Sequence, residues 1–302
     1  MTYYTMPDNE KLYVREIGQG KARPVLILSG LGMSSWQWLP FILPSLNQRR
    51  FIIPDYRGFA GSKHCKIPQH LNTIESHWQD IDALLKQLNL KEIDVIAYSM
   101  GATTTMHGLK YANFAQKIRR YLHIDQTAKI KNDTEWRYGL MGQHQDAFLN
   151  LMQQMITLLE PHQQLRSIAQ LPPRVQAQLN ELWLSFMQIQ NPDSRLTKLL
   201  HYLPSNKWQT QLLPLQSLPY ILWYLRSYLQ HDEDYRTALA ALDKPTHFII
   251  GKQSALYDMR GQLSVAEQLK NAHIQVFAQS GHMPLVTEPF QFTKVVNRFL
   301  SG

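Results

Sequence analysis

The most constraining stretch of the chain is Ala97-Tyr98-Ser99-Met100-Gly101, which follows the apolar run Ile93-Asp94-Val95-Ile96 and opens a run with helical character. A buried strand that turns directly into a helix puts the residue at the turn into a strained backbone conformation, so the residues two before and two after it must be small. Ala97 and Gly101 meet that demand, although Ala97 stands where glycine is commoner, and the residue between them at the turn is a serine. Five residues alone carry little weight, because serine-x-glycine recurs by chance; the flanking strand and helix supply the context.

Strand and helix signals alternate around this turn. Pro24 to Leu28 and Phe51 to Ile53 are continuous apolar runs of the kind that suits strands buried on both faces. Tyr13 to Glu16 is expected as an edge strand. Between Asn72 and Leu90 the residues Ile74, Trp78, Ile81, Leu84, Leu85 and Leu88 recur at three and four, which predicts a helix capped by Asn72 or Thr73. Further strands are expected at Arg120 to Asp125, Pro245 to Gly251 and Ile274 to Phe277, with a helix near Gln262 to Leu269 and a closing amphipathic helix through Phe290, Val295, Val296, Phe299 and Leu300. The fold class is therefore α/β, a mostly parallel sheet covered by helices on both faces.

From about Lys129 to Ala240 the pattern changes to leucine, glutamine, methionine and tryptophan at helical spacing, with no convincing strand. Breaks at Pro161, Pro172-Pro173, Pro192, Pro204, Pro214 and Pro219 divide it into short helices. Residues 1–128 and 241–302 are read as the core and 129–240 as a helical cap inserted over the sheet. The apolar stripes of these helices are first of all packing faces.

Composition narrows the function. The 302 residues are 44% hydrophobic, enough for a full core, and the single cysteine, Cys65, excludes an internal disulfide. The first residues have neither a basic head nor an apolar run, and no stretch approaches the length of a membrane span, so a cytoplasmic protein is expected. A formal charge of +8 raises the question of nucleic acid, but the bases are scattered, with Arg49-Arg50 and Arg119-Arg120 the only notable pairs, and no such partner is expected. His107, His123 and His247 lack metal-like spacing with cysteine or carboxylate, so no metal is expected. Gly18-Gln19-Gly20 is an ordinary turn.

A serine hydroxyl needs a base within hydrogen-bond reach, and the base needs a carboxylate that fixes its tautomer. Ser99, Asp125 and His282 each follow a predicted strand directly or closely, and the carboxyl ends of parallel strands share one edge. With this order of serine, acid and histidine, the chain resembles the α/β-hydrolase superfamily. The likeness rests on Leu28-Ser29-Gly30-Leu31-Gly32, Asp55-Tyr56-Arg57-Gly58-Phe59-Ala60-Gly61-Ser62, the Ser99 turn and Ser280-Gly281-His282-Met283-Pro284, with Ser29 replacing the usual histidine. The resemblance implies that Asp55, Arg57 and Gly58 shape a loop. It also implies two stations for the acid. Many members carry it after the seventh strand, where this chain has Ser254 and only later Asp258; others carry it after the sixth, where Asp125 stands. Asp125 is favoured and Asp258 is the alternative.

The backbone N–H groups of Leu31 and Met100 are the expected oxyanion donors. Trp36, Tyr98, Trp136 and Met283 are the expected substrate-binding side chains. The stretch Asp125 to Lys129, followed by Asn132-Asp133, Trp136 and Gly139, is similar to small bacterial hydrolases that include enzymes inactivating N-acyl-homoserine lactones. The expected activity is cofactor-free hydrolysis of esters or lactones with medium or long acyl chains, N-acyl-homoserine lactones being the named candidate. An acyltransferase or perhydrolase, or a ligand receptor without turnover, is the alternative.

Overall fold

The computed structural model describes residues 2–190 and 216–302. Its centre is an eight-stranded sheet, β1 (Thr2–Thr5), β2 (Lys11–Ile17), β3 (Val25–Leu28), β4 (Phe51–Pro54), β5 (Ile93–Tyr98), β6 (Ile118–Ile124), β7 (Thr246–Gly251) and β8 (Ala272–Phe277). The spatial order is β1-β2-β4-β3-β5-β6-β7-β8, antiparallel from β1 to β4 and parallel from there on. The stretch Tyr13 to Glu16, expected at an edge, lies inside the sheet. The edge strand is instead Thr2–Thr5, too short to show a period in sequence and recognisable only by its pairing with β2.

The central strands β3 and β5 are buried along their whole length because both faces are covered, and apart from Asp94 their residues are apolar or aromatic. Leu26, Leu28, Val95 and Ala97 face one layer, where helix α1 (Thr73–Gln87) brings Ile74, Trp78, Ile81 and Leu84. Val25, Ile27 and Ile96 face the other, with Trp38, Phe41 and the closing helix, whose Phe292, Val296 and Phe299 are buried. Burying each such side chain contributes roughly 1.5–3 kcal/mol. Asn72 caps α1, its side chain accepting from the Glu75 N–H at 3.0 Å while Glu75 accepts from the Asn72 N–H at 3.2 Å.

Helix α2 (Met100–Tyr111) leaves β5 at Ser99. Between β6 and β7 come α3 (Gln145–Leu159), α4 (Pro173–Gln190) and α5 (Leu218–Gln230), with the expected breaks at Pro192, Pro204 and Pro214 lying outside the described residues. These helices form a small apolar core of their own around Leu159, Ile168, Leu179 and Leu218. Helix α5 is tied back to the sheet layer: Tyr220 donates to the Cys65 carbonyl at 2.6 Å, Trp223 to the Leu71 carbonyl at 3.0 Å, and Ser227 accepts from the Thr73 N–H at 3.1 Å. Gly58, at φ 90°, makes room for this helix, since a Cβ there would lie 2.5 Å from the Tyr220 ring.

The longer helices after β7 are α6 (Met259–Ala266) and α7 (Pro289–Ser301), with a single turn, Pro284–Thr287, before the second. The first starts three residues before the expected Gln262 because Asp258 caps it, accepting the Arg260 N–H at 2.8 Å.

Candidate active site

Register explains why the site residues meet. Tyr98 of β5 is opposite Ile124 of β6, so Ser99 and Asp125 leave neighbouring strands at the same level, each still holding the next strand through its N–H, to Ile124 O at 3.0 Å and to Ile249 O at 2.9 Å. Both backbones are strained there, with φ 52° at Ser99 and φ 39° at Asp125. The Ser99 turn also needs Gly101: a Cβ at that residue would lie 2.2 Å from the Leu28 carbonyl oxygen. Helix α2 can therefore approach β3 closely only if this residue is glycine.

His282 lies in the loop after β8 and links the two strands. Its Nδ1–H donates to Asp125 Oδ2 at 2.8 Å, and its Nε2 accepts the Ser99 hydroxyl at 2.9 Å. A carboxylate cannot donate, so the bond to Asp125 sets the tautomer that leaves Nε2 as the acceptor. The imidazole lies between two aromatic rings, Tyr98 at 5.2 Å and Tyr257 at 5.3 Å, and Tyr98 also donates to the His282 carbonyl at 2.8 Å. Burial and then the charge of Asp125 push the Tyr98 hydroxyl far above its ordinary range, so it stays a donor.

Asp125 is fully buried and carries four hydrogen bonds. Oδ1 accepts from the Gly251 N–H at 2.8 Å and Gln262 Nε2 at 3.1 Å, while Oδ2 accepts from the Ser254 hydroxyl at 2.7 Å and from His282. Such bonding satisfies an otherwise costly buried charge. Ser254, at the station where a carboxylate could have stood, thus supports the acid on the neighbouring strand. Asp258 is turned away into its helix cap and a 2.6 Å ion pair with Arg260. Sequence reasoning gave Ser254 no role and missed Gln262 and Tyr257 altogether; nothing along the chain marks them, because they reach the site only through the crossing of β7 and α6.

The loop from Ser29 to Ser35 is pinned from below. Ser29, in place of the usual histidine, accepts the Trp38 indole N–H at 2.9 Å, and buried Asp55 accepts the N–H groups of Ser35 at 2.6 Å and Gly61 at 3.0 Å. Arg57 secures the Asp55 loop through a bidentate pair with Asp80, both bonds 2.7 Å. The loop carries Leu31 to the cavity beside Ser99, and Met100 is the first residue of α2, where N–H groups have no acceptor within the helix.

A cavity of about 500 Å³ opens on Ser99 and His282. Phe148, Met152 and Met155 of α3, Trp183 and Phe186 of α4, and Tyr228 of α5 line its far walls, and among the described lining residues there is no Asp, Glu, Lys or Arg. Tyr98 and Met283 line it, as expected of substrate-binding residues. Trp36 and Trp136 do not. Trp36 is 59% exposed outside the cavity, because the short helical turn Ser35–Trp38 directs it to the surface. Trp136 is buried at 4% exposure; its indole donates to the Lys129 carbonyl at 3.1 Å and the Arg236 guanidinium covers its ring at 4.9 Å. The surrounding stretch is a structural knot: Asn132 accepts the Gly139 N–H at 2.8 Å and donates to the Gly142 carbonyl at 2.7 Å, and Asp133 accepts the Trp136 N–H at 2.8 Å. Among the described residues no cluster of ligating side chains suits a metal, and no helix is long and apolar enough to cross a membrane. The arginine pairs are largely structural, since Arg49 and Arg120 both bind buried Asp94 and Arg50 binds Glu16.

This geometry has relatives. A pimeloyl-[acyl-carrier protein] methyl ester esterase from Vibrio atlanticus (strain LGP32) is 22% identical over 290 residues, 94% of this chain and 96% of that protein. Among solved structures, an esterase from Exiguobacterium antarcticum superposes with a TM-score of 0.70 at 19% identity, covering 100% of this chain and 99% of the other. The enol-lactonase from Burkholderia xenovorans LB400 gives a TM-score of 0.68 at 17% identity, with 100% of both chains covered. The family profile described as alpha/beta hydrolase fold matches residues 23–289. With most of its length matched, and with the strand order and serine turn that go with that fold, the chain belongs to the alpha/beta hydrolase family.

Proposed function

We propose that the chain is a serine hydrolase that cleaves carboxylic esters or lactones carrying a medium or long apolar acyl chain, through an acyl-enzyme. The observation that carries this reading is the relay Asp125–His282–Ser99 opening on an apolar cavity. Ser99 Oγ attacks the carbonyl carbon as its proton passes to His282 Nε2; Asp125 stabilises the imidazolium. The Leu31 and Met100 N–H groups receive the oxyanion, each worth about two powers of ten in rate. His282 then protonates the leaving alcohol, the C–O bond breaks, and water attacks the acyl-Ser99 ester with His282 again as base.

Residues 129–240 act as the cap that selects the acyl group, a role supported by the lining that α3, α4 and α5 provide. Each methylene moved from water into this lining contributes about 0.8 kcal/mol, or about fourfold in kcat/KM. N-acyl-homoserine lactones fit this chemistry and remain the named candidate. The name of the Vibrio relative supports a second one, the methyl ester of an acyl chain held on a carrier protein.

The test is kcat/KM across lactones and nitrophenyl or methyl esters of graded acyl length. A rise with length supports the reading, and turnover of short esters without long ones rejects the substrate class. Ser99→Ala should lose about six powers of ten in rate and all labelling by a fluorophosphonate. An active, unlabelled Ser99→Ala protein would reject the mechanism itself.

A further inference from the structure

Two segments flank the opening of the cavity, and both lack charge. From Ser29 to Gln48 the chain has no Asp, Glu, Lys, Arg or His, and from Gln279 to Thr287 only His282 can ionise. These two segments, with the start of α7, hold most of the large apolar side chains that the described residues leave exposed: Leu31, Trp36, Leu43, Met283, Val286 and Phe290. Phe290 is 91% exposed. The segments are neighbours, since Phe41 meets Phe292 edge to face at 4.9 Å and Ser45 donates to Asn297 at 2.9 Å, and Leu31, Met283 and Val286 line the cavity itself. An apolar surface gathered in this way around one opening marks a docking face, whereas single exposed apolar residues are ordinary.

From this face we infer that the protein docks on the surface of a lipid bilayer containing anionic headgroups, with the opening of the cavity against the lipid. Two features favour lipid over a protein partner. An apolar acyl chain dissolved in a membrane passes from the bilayer along Leu31, Met283 and Val286 to Ser99 without crossing water, whereas a protein seated there would close the opening. The charges beside the face also sum to positive, Lys294 and Arg298 against Glu288. Lys294 and Arg298 follow Phe290 along the same side of α7, both exposed and without a carboxylate partner among the described residues, while the nearby Glu288 carboxylate is engaged by the Gln279 N–H at 3.0 Å and the Ser280 hydroxyl at 2.6 Å. Tryptophan with phenylalanine at the rim and bases behind them is the composition of an interfacial site.

The route of the acyl chain rests on the proposed function, but docking itself is measured without substrate. The experiment is co-sedimentation of the whole protein with unilamellar vesicles of phosphatidylcholine, with and without phosphatidylglycerol. Binding to the anionic vesicles is expected, falling about tenfold or more in Phe290→Asp and in Leu43→Asp, and falling less in Lys294→Gln. Hydrolysis of a soluble short-chain ester should be unchanged in all three, which also reports that they are folded. Three results would overturn the inference: no binding by the unaltered protein, equal binding by both Asp variants, or a concentration-dependent dimer that the Asp substitutions abolish.

Discussion

The carboxyl edge of the sheet and the helical segment over it solve different problems with different materials. At the edge, Asp125, His282, Ser254 and Gln262 are held by directed hydrogen bonds of 2.7–3.1 Å, and strained backbones at Ser99 and Asp125 persist because the strands on either side hold them. In the helical segment the cavity wall is mostly methionine and aromatic carbon, placed chiefly by packing, with α5 also pinned by a few hydrogen bonds. Proton transfer tolerates little displacement, whereas an acyl chain needs only apolar contact of suitable size. On the proposed reading, reaction type is written in the edge and substrate choice in the cover.

The contrast breaks first at the acid. Asp125→Asn should lower kcat by about four powers of ten, since the amide stabilises the wrong imidazole tautomer, and Asp258→Asn should change it little. The reverse outcome would move the acid to the other station. Adding Ser254→Asp to Asp125→Asn sharpens the point: Ser254 already contacts the oxygen that serves His282, so the double variant should recover activity over the single one, measured as kcat on one ester.

Acid is the next probe. Burial lowers the His123 pKa from 6.5 to about 4, so the folded edge refuses a proton that the unfolded chain accepts. Stability is therefore complete above about pH 6.5 and falls as pH drops toward 4, by about 3 kcal/mol from this residue. Urea midpoints across that range should show the fall, and His123→Gln should remove only this residue's share of it. The helical segment contributes to the same slope through buried His231, whose pKa also falls to about 4.

Smaller effects probe the wall. Met155→Trp fills the cavity, and kcat/KM should fall about fourfold for each methylene displaced, leaving short esters untouched. An equal loss for every chain length would place Met155 outside the acyl path. Ser254→Ala should cost least, about 1 kcal/mol in transition-state stabilisation, read as kcat/KM on one ester. An unchanged kcat/KM would make Ser254 merely structural.

Much of the edge is legible along the chain because its rules are local. A strand, a small residue, a serine and a glycine in series state the turn, and three polar residues after three predicted strands state where they meet, since parallel strands end on one side. The cover is legible only as apolar helices. Trp36 and Trp136 show the limit: residue type recommended both for the cavity, yet one is on the surface and the other is locked in a knot with Lys129 and Arg236.

The amino-acid sequence by itself determined the fold class and pointed to Ser99 and His282 as the proposed nucleophile and base, because periodicity and turn chemistry are properties of neighbouring residues. Only the tertiary structure decided that Asp125 faces the imidazole while Asp258 caps a helix, that Ser254 and Gln262 hold the acid, and that charge-free segments far apart in sequence ring one opening. Apart from the Asp258 cap, those are distances between residues more than a hundred positions apart, and they are set by how strands register and helices pack rather than by anything a local pattern contains.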